Sequence, residues 1–212
     1  MQPVFVTGIG TDVGKTVIAA ILTEALEADY WKPVQAGIIG GTDSSWVKAA
    51  ITNKTTVIHS ESYLLNTPAS PHLAGRQDGI TIDLETIYNQ FSTFSNARPL
   101  IIEGAGGLLV PLNQNEQVLH LIKRLDAQVV LVSRNYLGSI NHSLLTAQVC
   151  RAHKVKVAGW VFNDQYLDYE AEIAAWSGYP IIGKVPFASS IGKDFIQHQA
   201  GLLKKSLNET LW

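Results

Sequence analysis

Lys15 and Thr16 follow Gly14 directly, at the end of Thr7-Gly8-Ile9-Gly10-Thr11-Asp12-Val13-Gly14. An apolar run, Val4-Phe5-Val6, precedes the stretch, and Val17-Ile18-Ala19-Ala20-Ile21-Leu22 continues it as a helix. Strand, glycine-rich turn and Gly-Lys-Thr at a helix start form a P-loop. Its glycines let backbone approach a phosphate closely, and the helix start offers free N–H groups and a positive dipole end. In that frame Lys15 reaches the β- and γ-phosphates and the Thr16 hydroxyl holds Mg²⁺. The spacing is unusual: five residues separate Gly8 from Gly14 and three separate Gly10 from it, where the standard loop has four. Three further residues can act beside such a loop. Lys32 precedes Pro33, which holds it extended at a strand end; it is either a second phosphate-side cation, at a strand end neighbouring the first, or a solvated lysine. Asp43 opens a helical stretch after Gly40-Gly41-Thr42, as an N-cap or as a metal-directed carboxylate. Glu103 ends the apolar run Pro99-Leu100-Ile101-Ile102 and is followed by Gly104-Ala105-Gly106-Gly107, which suits an oxygen ligand of Mg²⁺.

Alternating short apolar runs and helical stretches must position these groups. The runs are Pro3–Thr7, Tyr30–Val34, Pro99–Glu103, Gln128–Ser133, Val155–Phe162 and Pro180–Val185. Several are apolar on both faces, as strands covered on both sides are. Helices are predicted over Lys15–Ala28, Asp43–Ala50, Leu84–Phe94, Gln117–Leu125, Ile140–His153, Tyr169–Trp176 and Ile196–Leu207. The alternation predicts an α/β fold of the P-loop NTPase type: one domain over 1–212, a doubly wound, mostly parallel sheet, and helices on both faces. Ligands of such sheets sit beyond the carboxyl ends of the strands, where Lys15, Lys32 and Glu103 fall.

Composition excludes other classes. With 212 residues the chain holds about 1.4 average domains, so one large α/β domain is the simplest reading. Hydrophobic residues at 46% and charged residues at 16% exclude a disordered chain. A net charge of −2 argues against broad nucleic-acid binding, which needs a basic footprint. Cys150 is the only cysteine, so no intrachain disulfide forms and a reducing, cytoplasmic setting is expected. The N-terminus has no basic leader, and no apolar run reaches the length of a membrane span.

Four features in this order resemble the dethiobiotin synthetase family: Gly-Thr-Asp-Val-Gly-Lys-Thr, Lys-Pro-Val-Gln-Ala-Gly, Glu-Gly-Ala-Gly-Gly, and Leu137-Gly138-Ser139-Ile140-Asn141-His142. The resemblance runs from Phe5 to about Pro186, taking in Pro68-Ala69-Ser70-Pro71-His72 and Gly159-Trp160-Val161-Phe162-Asn163-Asp164. The family's loop carries the same five-residue gap. The resemblance implies an ATP- and Mg²⁺-dependent ligase that makes dethiobiotin from 7,8-diaminopelargonate and CO₂ in biotin synthesis. The route passes through a carbamate and a carbamic-phosphoric anhydride. By resemblance Lys15 and Lys32 are catalytic, neutralising the carbamate and the transferring phosphoryl. Thr16, Asp43 and Glu103 form the Mg²⁺ shell. ATP lies on Asp12, Val13, Gly14, Lys15, Thr16 and Val17, with Asp43 and Glu103-Gly104-Ala105-Gly106; Asn163 and Asp164 read the base beside Pro186, Phe187 and Ala188. Substrate meets Thr11, Lys32 and Ala36. Family members are homodimers, and Leu137, Gly138, Ser139 and Asn141 reach the partner's substrate.

Two positions depart from the family: Ala36 stands where many members have serine, and Ser189 and Ser190 where some have an acidic residue. Nothing after Ile191 matches. A rival reading is a partner-switching ATPase of the septum-site and partition type, but its extra loop lysine falls at Gly10. An amidotransferase-type synthetase of cobalamin synthesis needs a glutaminase domain for which this chain has no room. His72 and His142 stay open between site and loop roles. Trp31, Trp46, Trp160, Trp176 and Trp212 are read as packing residues, Cys150 as a buried thiol. Leu203, Leu207 and Leu211 mark a docked amphipathic C-terminal helix without the basic residues of a membrane anchor.

Overall fold

The computed structural model describes residues 1–211, so Trp212 lies outside the described residues. In chain order the elements are β1 (Val4–Gly8), α1 (Lys15–Leu26), β2 (Asp29–Trp31), β3 (Val34–Ala36), α2 (Asp43–Ala50), β4 (Ile58–His59), β5 (Tyr63–Leu65), α3 (Pro71–Asp78), α4 (Leu84–Phe91), β6 (Leu100–Gly107), α5 (Val118–Arg124), β7 (Gln128–Arg134), α6 (Ser139–Ala152), β8 (Val157–Asn163), α7 (Glu170–Ser177), β9 (Ile181–Val185) and α8 (Lys193–Leu211).

Seven strands form one sheet in the order β4-β2-β6-β1-β7-β8-β9. Every neighbouring pair is parallel. β1 sits at its centre and every residue in it is buried, which is why its sequence is apolar on both faces. Alternation along β1 divides two cores. Val4 and Val6 pack with Ile18, Ile21, Leu203 and Leu207 of α1 and α8. Phe5 packs on the other face with Ile102, Leu121, Ala147 and Ile173, under α5, α6 and α7. The expected C-terminal helix is present: Leu203, Leu207 and Leu211 of α8 are buried in the first core. No helix among the described residues is long and apolar enough to cross a membrane.

The structure corrects several boundaries. The run Tyr30–Val34 splits at Lys32-Pro33: β2 pairs with β6 and β4, while β3 leaves the main sheet and pairs with β5. Pro33 has no N–H to continue a ladder, and its carbonyl instead accepts from the N–H groups of Ser62 and Tyr63. The phosphate-side lysines are therefore not at neighbouring strand ends, because β6, bearing Glu103, lies between β1 and β2. β4, β5 and α3 were not expected; two or three residues are too few for a period to show in β4 and β5. β6 continues past Glu103 to Gly107. Of the tryptophans, Trp31 and Trp160 are fully buried and Trp46 is packed against the first core, but Trp176 is 58% exposed and is no packing residue. Burial pushes the Cys150 thiol up to about 12, which leaves it protonated and inert.

Candidate active site

The loop between β1 and α1 closes on Gly14, which stands at the N-cap of α1 with φ 90. Only glycine adopts that conformation without strain. Asn163, the last residue of β8, donates from Nδ2 to the Val13 carbonyl at 3.0 Å and ties the loop to the end of that strand, across β7. Lys15 folds back along the loop, its Nζ donating to the Gly10 carbonyl at 2.8 Å.

Glu103 lies in β6 beside β1 and is 1% exposed. Three donors serve its carboxylate. Oε1 accepts from Thr16 Oγ1 at 2.8 Å and from Lys32 Nζ at 2.9 Å. Oε2 accepts from the Tyr30 hydroxyl at 2.7 Å. Lys32 also pairs with Asp43, so one ammonium bridges the two carboxylates. Asp43 is not the helix cap. Thr42 holds that place, its Oγ1 accepting from the Ser45 N–H, and Asp43 is the first helical residue. The Asp43 N–H donates to Gln35 Oε1 at 3.1 Å, which fixes the start of α2 against β3.

The electrostatics follow from burial. Lys15 is held below its ordinary pKa because burial disfavours its charge and Lys32 repels it, against the attraction of Glu103. Lys32 is buried too, but Glu103 and Asp43 outweigh that cost and raise its pKa. Burial, with Glu103 beside it, raises the Tyr30 phenol well above 10.0 and keeps it a hydrogen-bond donor.

These groups line a cleft of about 820 Å³. Thr11, Asp12, Gly14, Lys15, Thr16 and Val17 form its loop side, and Lys32, Ala36, Asp43, Glu103, Ala105 and Gly106 its floor. Val34, Pro68, Pro71 and Val110 add an apolar wall that sequence reasoning did not assign to the site. Other expected residues lie elsewhere. Val13 is buried and contributes its backbone. Gly104 faces Phe5, whose ring a Cβ there would meet at 2.6 Å. Asn163, Asp164, Pro186, Phe187 and Ala188 sit at and beyond the ends of β8 and β9, outside the cleft wall, with Phe187 68% exposed. Asp164 is engaged by Arg134 at 2.9 Å. Leu137, Gly138 and Asn141 are exposed at the start of α6 and do not line the cleft either. Ser139 corrects the expectation of a free polar group: it is fully buried, its hydroxyl bonded to Tyr169 OH at 2.7 Å and its N–H to the Tyr136 carbonyl. His72 bonds to Ser70 at 3.2 Å and His142 to the Tyr136 hydroxyl at 2.7 Å, and neither lines the cleft.

Tyr30 and Gln35 were missed as supports. Alternation along the strand puts residues 30 and 32 on one side, so Tyr30 was findable from Lys32. Gln35 carried no such signal.

Comparison with known proteins bears on the family and the fold. A family model described as an AAA domain matches residues 2–194. The ATP-dependent dethiobiotin synthetase BioD of Cytophaga hutchinsonii is 45% identical over 197 residues, covering 92% of this chain and 94% of its relative. The chain belongs to the dethiobiotin synthetase family. The BioD of Christiangramia forsetii is similar along nearly the whole chain, at 41% identity over 206 residues and 97% of each sequence. Among solved structures, the MinD cell division protein of Aquifex aeolicus superimposes with a TM-score of 0.58 at 13% identity, covering 100% of this chain and 97% of MinD. A ParA family ATPase from Chlorobium tepidum gives 0.56 at 16% identity, covering 100% and 94%. Those likenesses show a P-loop fold shared between partition-type ATPases and dethiobiotin synthetases, and the rival reading rests on nothing more than that fold.

Proposed function

We propose that the cleft between the loop and the end of β6 joins CO₂ to the two amines of 7,8-diaminopelargonate at the expense of ATP, and that one P-loop domain carries the whole reaction. The chain is an ATP-dependent ligase of biotin synthesis acting on small molecules. The observation that carries the site reading is the convergence of Lys15, Lys32, Thr16, Asp43 and Glu103 on one cleft from four separate stretches of sequence.

One substrate amine adds to CO₂ and loses a proton, giving a carbamate. A carbamate oxygen attacks the γ-phosphorus of ATP, and the bond to ADP breaks. The second amine then attacks the carbonyl carbon, closes the ring, loses its proton and expels phosphate. Each step is positioning and charge stabilisation. Lys15, now lying against its own loop, turns to the β- and γ-phosphates when they displace the Gly10 contact. Lys32 faces both the carbamate and the transferring phosphoryl. The apolar wall of Val34, Pro68, Pro71 and Val110 suits the methylene chain of the substrate. Ala36 presents a methyl group where a hydroxyl contact is common in the family.

The donors fit Mg²⁺. Thr16, Asp43 and Glu103 offer hard oxygens only, and no group of three His, Cys, Asp or Glu side chains exists among the described residues to make a metal-only cage. Few protein oxygens completed by water and phosphate is the usual pattern for this ion. Bound there, it would offset phosphate charge. Asp43→Asn is expected to raise the Mg²⁺ concentration for half-maximal rate while leaving the diaminopelargonate KM little changed. An unchanged magnesium titration would reduce Asp43 to a partner of Lys32.

We further propose a cytoplasmic homodimer whose α6 start binds the partner's substrate. Its first turn supports this: the N–H groups of Ile140 and Asn141 have no intrahelical partner and suit a carboxylate. Mixing a Lys15→Ala chain with an Asn141→Trp chain tests it. In a mixed dimer one site combines an intact loop with the other chain's intact turn, so activity should recover. Mixed dimers with no activity would place the turn and loop of one site on one chain.

The decisive assay supplies ATP, Mg²⁺, bicarbonate and diaminopelargonate and reads dethiobiotin by mass spectrometry. Phosphate release that ignores the diamine would overturn the reading.

A further inference from the structure

The two oxygens of the Glu103 carboxylate face different surroundings. Oε1 meets Thr16 and Lys32, both of which line the cleft. Oε2 meets only the hydroxyl of Tyr30, which is 0% exposed and packed among Ile18, Ile21 and Ile101 in the core. That hydroxyl has no other partner, and its ring is locked by packing. A carboxylate can serve a metal through one oxygen or through both. Here the second oxygen is occupied from behind by a donor that cannot move away.

We infer that Tyr30 is a positioning residue that makes Glu103 a one-oxygen donor and so favours Mg²⁺ over Ca²⁺ at the nucleotide. The inference rests on the proposed metal role of Thr16, Asp43 and Glu103. Its physical basis is the difference between the two ions. Mg²⁺ is small, demands octahedral geometry and is satisfied by single carboxylate oxygens, whereas Ca²⁺ takes six to eight oxygens and commonly binds a carboxylate through both. The Tyr30 hydroxyl takes one lone pair of Oε2 and competes with Ca²⁺ for that second contact, which Mg²⁺ does not need. Partners that orient a metal ligand from behind typically contribute about 10- to 100-fold in metal affinity or activity.

The test compares the wild-type protein with Tyr30→Phe, which keeps the ring and removes the donor. Titration calorimetry with ADP present measures Mg²⁺ and Ca²⁺ binding directly, and circular dichroism checks the fold. The wild type is expected to prefer Mg²⁺. In Tyr30→Phe that preference should fall by roughly 10-fold or more, through a gain for Ca²⁺ as well as a loss for Mg²⁺, with the diaminopelargonate KM unchanged. A folded variant whose two affinities fall together, leaving the ratio intact, would show a merely structural tyrosine and overturn the inference. If the variant does not fold, infrared difference spectra of the wild type with Ca²⁺ and ADP decide: carboxylate bands of two-oxygen coordination at Glu103, identified by their loss in Glu103→Gln, overturn it, and a one-oxygen pattern supports it. Absence of any protein-dependent metal binding in the wild type would remove the metal role itself. Dethiobiotin formation, assayed separately, keeps that failure distinct from a failure of the catalytic reading.

Discussion

Lys32→Ala is expected to lower the rate of dethiobiotin formation by roughly 10²–10³, the usual cost of losing one charge-stabilising contact at a reacting centre. It should also destabilise the protein. Lys32 is 5% exposed and lies between Asp43 and the fully enclosed Glu103. Removing one partner of a buried pair typically costs about 3–5 kcal/mol, because it strands the other charge. Lys32 is thus expected to support the fold as well as the site. Lys15→Ala serves as the comparison. Its ammonium bonds only to its own loop, so it should lose activity to a similar degree with a near-normal melting temperature. The pH dependence gives an independent check. The folded pKa of Lys32 is raised, so its contribution to stability is complete below the unfolded value of about 10.4 and is lost as pH rises through the higher folded value. The stability gap between wild type and Lys32→Ala should therefore persist through neutral pH and close in strong alkali. Near-normal turnover in Lys32→Ala, or no loss of stability, would contradict this account.

Gly14→Ala is expected to abolish nucleotide binding. Two separate effects act there. A side chain at φ 90 is strained, at about 1–3 kcal/mol. A Cβ would also run into Asn163 Nδ2, which occupies the space beside the loop. Asn163 would be driven off the Val13 carbonyl and the loop would lose its tie to β8. The two effects separate in the double variant Gly14→Ala with Asn163→Ala, which relieves the clash and keeps the strain. Equilibrium binding of a fluorescent ATP analogue should show no measurable affinity for the single variant and a partial return for the double. Full binding by Gly14→Ala would mean that the loop rearranges freely and that Asn163 does not hold it.

Much of this molecule is legible in one dimension. Gly14-Lys15-Thr16 between an apolar run and a helix names a phosphate loop because close approach to phosphate needs glycine at that point and a helix start after it. Runs such as Val129–Val132, buried along their whole length, announce parallel strands covered on both faces. Glu103 could be singled out because it ends such a run before a glycine-rich turn. These signals are local: each depends on residues within one strand and its turn.

What only the tertiary structure decided depends on distance in sequence. Strand order is one such feature. β6 inserts between β1 and β2, and this puts Glu103, rather than open solvent, between Lys15 and Lys32. Asp43 by its local context read more readily as a cap, and only the approach of α2 to Lys32 made it a partner of the site. Ser139 read as a polar group on offer, until the packing of α6 against Tyr169 consumed it. Tyr30 read as a strand residue, until folding placed its hydroxyl on a carboxylate 73 positions away. Side-chain identity and local period determine which elements form and which groups can do chemistry. Which groups meet is set by burial of both sheet faces and by the register between strands, and no short stretch of sequence carries that information.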